Sequence, residues 1–179
     1  YVVGAANSAG QAALNLARHA KLVVLLVRGE ALEDTMSQYL VGRIRATDNI
    51  EVRTGTEVVA ARGDGHLEAI TLADRQTGHE VEVPTTWLFV FIGAMPHTGW
   101  LGDDVARDDK GFVLTGPELV GARRADTWRL ARPPYALETS VPGVFAAGDV
   151  RLDSMKRVAS AVGEGAMSVY LVHRYLATI

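Results

Sequence analysis

Three groups of residues in this 179-residue chain have the types and spacing to do chemistry. The first is Gly4-x-Ala6-x-x-Ala9, an imperfect G-x-G-x-x-A in the stretch Tyr1–Gly10. Gly4 permits a tight turn and Ala9 suits close packing of a helix on a strand. Ala6 departs from the pattern, because its methyl group stands where backbone would approach a pyrophosphate. Asn7 and Ser8 complete the turn, and the helix that follows would direct its N-terminal amides at an anion. The second group is Arg28, directly after an apolar run ending at Val27. A carboxylate about 20 residues beyond such a motif holds a ribose 2′-hydroxyl. A guanidinium binds a 2′-phosphate instead, in a charge-assisted fork. The expected preference is therefore NADP(H) over NAD(H), with Glu30 close by acting against it. The third group is Gly148-Asp149 at the end of an apolar run, followed by Lys156-Arg157-Val158 opening a helix. A carboxylate at the carboxyl edge of a strand lies where α/β sheets bind ligands. Two cations in a first helical turn oppose the usual preference for acids there, which points to a negative charge nearby.

These residues need a scaffold, and the hydrophobic pattern supplies one. Tyr1–Gly4 reads as a strand, about Asn7–His19 as a helix and Leu22–Val27 as a second strand, which makes a βαβ unit. Glu30–Ala46 reads as a second helix with Leu32, Met36, Tyr39, Leu40 and Ile44 on one face, and Asn49–Arg53 as a third strand. Three antiparallel strands follow, Thr56–Arg62, Leu67–Asp74 and His79–Pro84, joined by Gly63-Asp64-Gly65 and Gln76-Thr77-Gly78. Trp87–Ile92 is apolar throughout, as expected of a strand covered on both faces. Gly93–His97 forms a turn, and a domain boundary is expected there. Beyond it come acidic pairs Asp103-Asp104 and Asp108-Asp109, read as solvated loop charges. A short strand at Gly111–Thr115, an Arg-, Trp- and Pro-rich loop, a strand at Gly143–Ala147 and a helix at Val158–Leu176 complete the chain.

Composition narrows the function. Hydrophobic residues make up 48% and charged residues 22%, ordinary for a globular protein. A net charge of −3 offers nothing to nucleic acid or to a membrane surface. The apolar runs are too short to cross a bilayer. No cysteine is present, so these residues hold no disulfide, thiolate metal site or cysteine nucleophile. The five histidines show no metal-ligand spacing, and no metal site is expected. The start inside a strand is expected of a fragment.

The segments GAANSA, VFIGAMPHT, TSVPGVFAAGDVR and KRVASAVGEGAMSV resemble the thioredoxin reductase-like members of the FAD- and NAD(P)-dependent pyridine nucleotide-disulfide oxidoreductases. The longer loop Pro117–Leu137 and the Ala-Ala turn look like the modules fused to regulatory domains in bacteria. The resemblance implies an α/β fold. A Rossmann-like NADPH-binding domain at 1–93, with a three-stranded antiparallel insertion, would precede the C-terminal segment of an FAD-binding domain at 94–179. The larger part of the FAD domain would lie upstream.

The same resemblance assigns nucleotide contacts to Gly4, Asn7, Ser8, Ala9, Arg28 and Gly93. It assigns flavin contacts to Gly148, Asp149, Lys156, Arg157 and Val158. Lys156-Arg157 stands where the reductases usually have Arg-Gln. Implied further are hydride transfer from NADPH to FAD, onward transfer to a thioredoxin-like or other redox acceptor, a homodimer and a cytoplasmic location. No catalytic acid or base is expected among these residues. A redox-active Cys-x-x-Cys would lie before Tyr1, although ferredoxin-NADP reductases of this fold lack one. The contrasting expectation is a redox-sensing or nucleotide-binding module that keeps the fold without turnover.

Overall fold

The computed structural model describes residues 1–120, 128 and 130–179. The chain divides into two compact units, Tyr1–Gly93 and Ala94–Ile179. In the first, β1 (Val2–Val3), α1 (Asn7–Leu16), β2 (Val23–Leu26), α2 (Gln38–Arg45) and β3 (Ile50–Arg53) form a βαβαβ run. With β7 (Phe89–Val90) the strands make a sheet of order β3-β2-β1-β7, and every pairing is parallel. A second sheet, antiparallel and of order β4-β5-β6, comprises β4 (Thr56–Arg62), β5 (Ala69–Asp74) and β6 (Glu80–Pro84).

β2 explains the layering. Side chains alternate across a strand, and all four of its residues are buried. Val23 and Leu25 join Val27 in a core with Ala9, Ala13, Leu32, Met36, Leu40, Val41 and Ile44 beneath the helices. Val24 and Leu26 face the opposite way, against Ile70 and Leu72 of β5. The parallel sheet thus lies between α1 and α2 on one face and the antiparallel sheet on the other. Each fully buried Val or Leu contributes about 1.5–3 kcal/mol, which makes a two-sided central strand the main anchor of this unit.

Several elements are shorter than the pattern predicts. α1 ends at Leu16, and Ala17–His19 continues it only as turns. The second helix is confined to Gln38–Arg45. Before it, Thr35 and Met36 make a turn on the Leu32 carbonyl, and Ser37 is extended at φ −61°, ψ 142°. The Ser37 N–H donates to Asn7 Oδ1 at 2.8 Å, so a tertiary bond replaces helix continuation there. Leu32, Met36, Leu40 and Ile44 are buried as expected, but Tyr39 is 70% exposed.

Trp87–Ile92 contributes only the two residues of β7. It is an edge strand paired to β1, and Trp87 (69%) and Ile92 (75%) are exposed, so it is not covered on both faces.

The second unit carries α3 (Val158–Leu176) and two 3₁₀ turns, Gly116–Leu119 and Gly148–Val150. The strands expected at Gly111–Thr115 and Gly143–Ala147 are reduced to isolated bridges. Val113 pairs with Arg107 and Arg151, and Phe145 with Glu138. Among the described residues no continuous neighbour strand extends either pairing. Buried Phe112, Val113, Leu114, Leu119, Leu137 and Leu171 form the interior. Part of the Arg-, Trp- and Pro-rich loop, at 121–127 and 129, lies outside the described residues.

Candidate functional site

In the first unit the turn after β1 stands at the carboxyl edge of the parallel sheet. Gly4 has φ +140°, and a Cβ there would lie 2.5 Å from the Phe91 carbonyl oxygen. Only glycine satisfies both conditions. Its N–H donates to the Leu26 carbonyl at 3.0 Å, which ties the turn to β2. Ala9 is fully buried and is the nearest side chain to Gly4, a helix-to-strand packing role. Ala6 is the N-cap of α1, extended at φ −90°, ψ 176°, with no side-chain cap bond. Alanine is a poor N-cap, costing about 1 kcal/mol against serine or aspartate. Ala6, Asn7 and Ser8 are exposed, so the positive end of α1 is open to solvent.

Asn7 is engaged elsewhere, because its side chain accepts the Ser37 N–H. Thr35 Oγ1 donates to the Ala5 carbonyl at 2.8 Å, so two bonds fasten the turn to the segment that follows Arg28. Arg28 is exposed immediately beyond β2, and its carbonyl accepts from Arg75 Nη1 at 3.2 Å. Gly93, at φ +98°, closes the unit. The structure thus brings Gly4, Ala9 and the α1 N-terminus together. Arg28 stands at the end of the neighbouring strand.

In the second unit Gly148 has φ +79°, and a Cβ there would press on the Ala161 side chain at 3.3 Å. Its N–H donates to Glu164 Oε2 at 2.6 Å. Arg151 clasps the same carboxylate, with Nε at 3.0 Å and Nη2 at 2.6 Å, and donates Nη1 to Thr115 Oγ1 at 2.8 Å. Hydrogen bonds from Arg151 hold the Glu164 carboxyl below its ordinary range against the opposing pull of burial, and the Gly148 amide adds to this. Glu164 raises the Arg151 guanidinium in return. Asp149 is exposed on the 3₁₀ turn that this network fixes.

Lys156 adopts φ +49° and places Nζ 4.4 Å from the centre of the Phe112 ring. Arg157 is the N-cap of α3, again without a side-chain cap bond, and Val158 is 83% exposed. An exposed carboxylate and an open helix N-terminus with apolar residues around it therefore occupy one unit. Among the described residues no cluster of metal-ligating side chains occurs.

Glu164, Arg151 and Thr115 escape a reading of sequence pattern, since positions 36 and 13 residues apart carry no periodic signal. The basic residue after Gly148-Asp149 and the glutamate between Gly163 and Gly165 are the only traces they leave. A second ion pair, Arg132 to the fully buried Glu138, is equally silent. Glu138 accepts two bonds from Arg132 and the N–H groups of Tyr135 and Gly143. Arg132 lies over the rings of Tyr135, Trp128 and Tyr175.

The turn geometry and the βαβαβ order agree with a direct comparison. The family profile of the pyridine nucleotide-disulphide oxidoreductases matches residues 1–165. The chain belongs to that family. Among its relatives, thioredoxin reductase of Debaryomyces hansenii is 31% identical over 176 residues, 98% of this chain and 49% of the relative. The solved thioredoxin reductase of T. acidophilum superposes with a TM-score of 0.69 at 28% identity, covering 98% of this chain and 51% of that one. The Lactococcus lactis thioredoxin reductase gives 0.73 at 23% identity, over 99% and 52%, a likeness of fold. The chain spans about half the length of the thioredoxin reductases it matches. No helix among the described residues is long and apolar enough to cross a membrane.

Proposed function

We propose that this chain is the nicotinamide-binding domain and the C-terminal flavin segment of an NADPH-dependent oxidoreductase of thioredoxin-reductase type. The observation that carries the reading is the uncapped, solvent-open N-terminus of α1 beyond β1, with Arg28 at the end of the adjacent strand. That arrangement fits a dinucleotide. The amides at Ser8 and Ala9 would face the pyrophosphate, Gly4 would let the turn pass close to it, and Arg28 would meet the 2′-phosphate. Asn7 would contribute through the turn it fastens, and Gly93 through the close of the domain.

The second unit fits a flavin in the same sense. Asp149 would accept hydrogen bonds from a polyol chain, fixed in place by Gly148, Arg151 and Glu164. Lys156, Arg157 and Val158 would lie at the ring system, where the dipole of α3 favours negative charge. The chemistry such cofactors supply is hydride transfer from reduced nicotinamide to the isoalloxazine ring. The residues of this chain supply binding, orientation and electrostatics. Onward transfer to a thioredoxin-like disulfide or another acceptor, a homodimer and a cytoplasmic setting belong to the same proposal.

Anaerobic titration of the full-length protein with NADPH, followed by its visible spectrum, tests this. A yellow protein that bleaches upholds it, and a colourless protein sinks the flavin assignment. Ala6 favours a second reading, a redox-sensing module without turnover, because its methyl narrows the approach to the turn. A yellow protein that resists NADPH would select that reading. Arg28→Ala is expected to raise KM for NADPH much more than for NADH, and equal effects would remove the 2′-phosphate assignment.

A further inference from the structure

We propose that Arg75 is a second specificity-determining contact for the 2′-phosphate, delivered from the antiparallel sheet. The inference rests on the reading that the end of β2 receives a dinucleotide. Arg75 is 47 positions from Arg28 in sequence, yet three hydrogen bonds carry it there. The Gly55 N–H donates to the Gly29 carbonyl at 2.9 Å, and the Arg75 N–H donates to the Gly55 carbonyl at 2.8 Å. Arg75 Nη1 then reaches the carbonyl of Arg28 itself at 3.2 Å.

The hairpin that presents Arg75 is well fixed. Asp74 Oδ1 accepts the N–H groups of Gln76 and Thr77 and the Thr77 hydroxyl, and Gly78 closes the turn at φ +71°. Glu57 Oε2 is 3.9 Å from Arg75 Nε, an ion pair too long to be a hydrogen bond. A guanidinium has five N–H donors, and Arg75 uses one on the Arg28 carbonyl while its side chain stays half exposed. Those remaining donors, at the main chain of Arg28, suit a dianionic phosphate monoester better than the neutral hydroxyl of NAD(H). A single Arg28, with Glu30 two positions on and the Asp34 carboxylate near Gly29, would recognise that dianion weakly, and Arg75 adds a second positive charge at the same strand end.

The test uses the full-length protein and calorimetric titration with NADP⁺ and NAD⁺, repeated with 2′,5′-ADP and 5′-AMP. Arg75→Ala is expected to weaken NADP⁺ and 2′,5′-ADP about tenfold, leaving NAD⁺ and 5′-AMP within about twofold. Arg75→Lys should recover part of the loss, and the salt dependence of NADP⁺ binding should flatten in the alanine variant. Equal weakening of both ligand pairs would make Arg75 a prop for the strand end and overturn the proposal. If Arg28→Ala lowers the NADP⁺ preference and Arg75→Ala does not, Arg75 alone is ruled out. If the unaltered protein shows no preference for the phosphorylated ligands, the parent reading falls with it.

Discussion

Glu138 and Glu164 each accept hydrogen bonds from an arginine and from the backbone in the second unit. Burial on its own would raise the Glu138 carboxyl, but bonds from Arg132 and from the amides of Tyr135 and Gly143 hold it below its ordinary value of 4.5. The Glu164 carboxyl is lowered in the same direction, chiefly by Arg151. A carboxyl depressed in the folded state binds fewer protons than in the unfolded chain. Its stabilisation is present above the ordinary value and is lost as pH falls through the folded value. Urea unfolding of the full-length protein from about pH 6 to pH 3 should show this loss. The pair Glu138→Gln and Glu164→Gln should flatten that limb. Glu138→Ala takes the acceptor from the Tyr135 and Gly143 N–H groups and the partner from the partly exposed Arg132, so it is expected to cost about 1–3 kcal/mol, read from the denaturation midpoint. Breaking an exposed pair such as Arg62 with Glu82 should leave the denaturation midpoint nearly unchanged, because solvent screens it.

Elements show why some of this is readable in sequence and some is not. α3 begins at Val158 and ends at Leu176 as the pattern indicates, and β4 matches Thr56–Arg62, because periodicity and turn residues are local signals. The pattern overextends the second helix because Leu32 and Met36 keep a helical spacing while the bond between Ser37 and Asn7 takes the backbone away from the helix. That bond links residues 30 apart and leaves no mark on spacing. Glycine and alanine at positions 4 and 9 are legible for their packing and conformational roles. Arg75 and Glu164 are not, since each acts through a partner brought up by tertiary structure. One prediction belongs here. Ser37→Pro removes the N–H given to Asn7, so it should loosen the turn after β1. Hydrogen exchange at Ser8 and Ala9 should rise, with α3 unaffected.

The two units differ in how much of their apolar surface they enclose. The first has hydrophobic clusters on both faces of its parallel sheet. In the second, α3 buries only Leu171 fully and exposes Val162, Met167, Val169 and Tyr170. A fragment ending at Gly93 is therefore expected to melt cooperatively, followed by circular dichroism. A fragment of 94–179 should bind hydrophobic dyes and lack a sharp transition. Gly4 carries the same physics to the level of the gene. Each amino-acid replacement there adds a Cβ against the Phe91 carbonyl and forces an unfavourable φ, at a cost of about 1–3 kcal/mol before any clash. In a saturation scan of the full-length gene scored by cellular abundance, the column at Gly4 should be uniformly depleted. Ala6, two codons away and open to solvent, should accept serine and glycine freely.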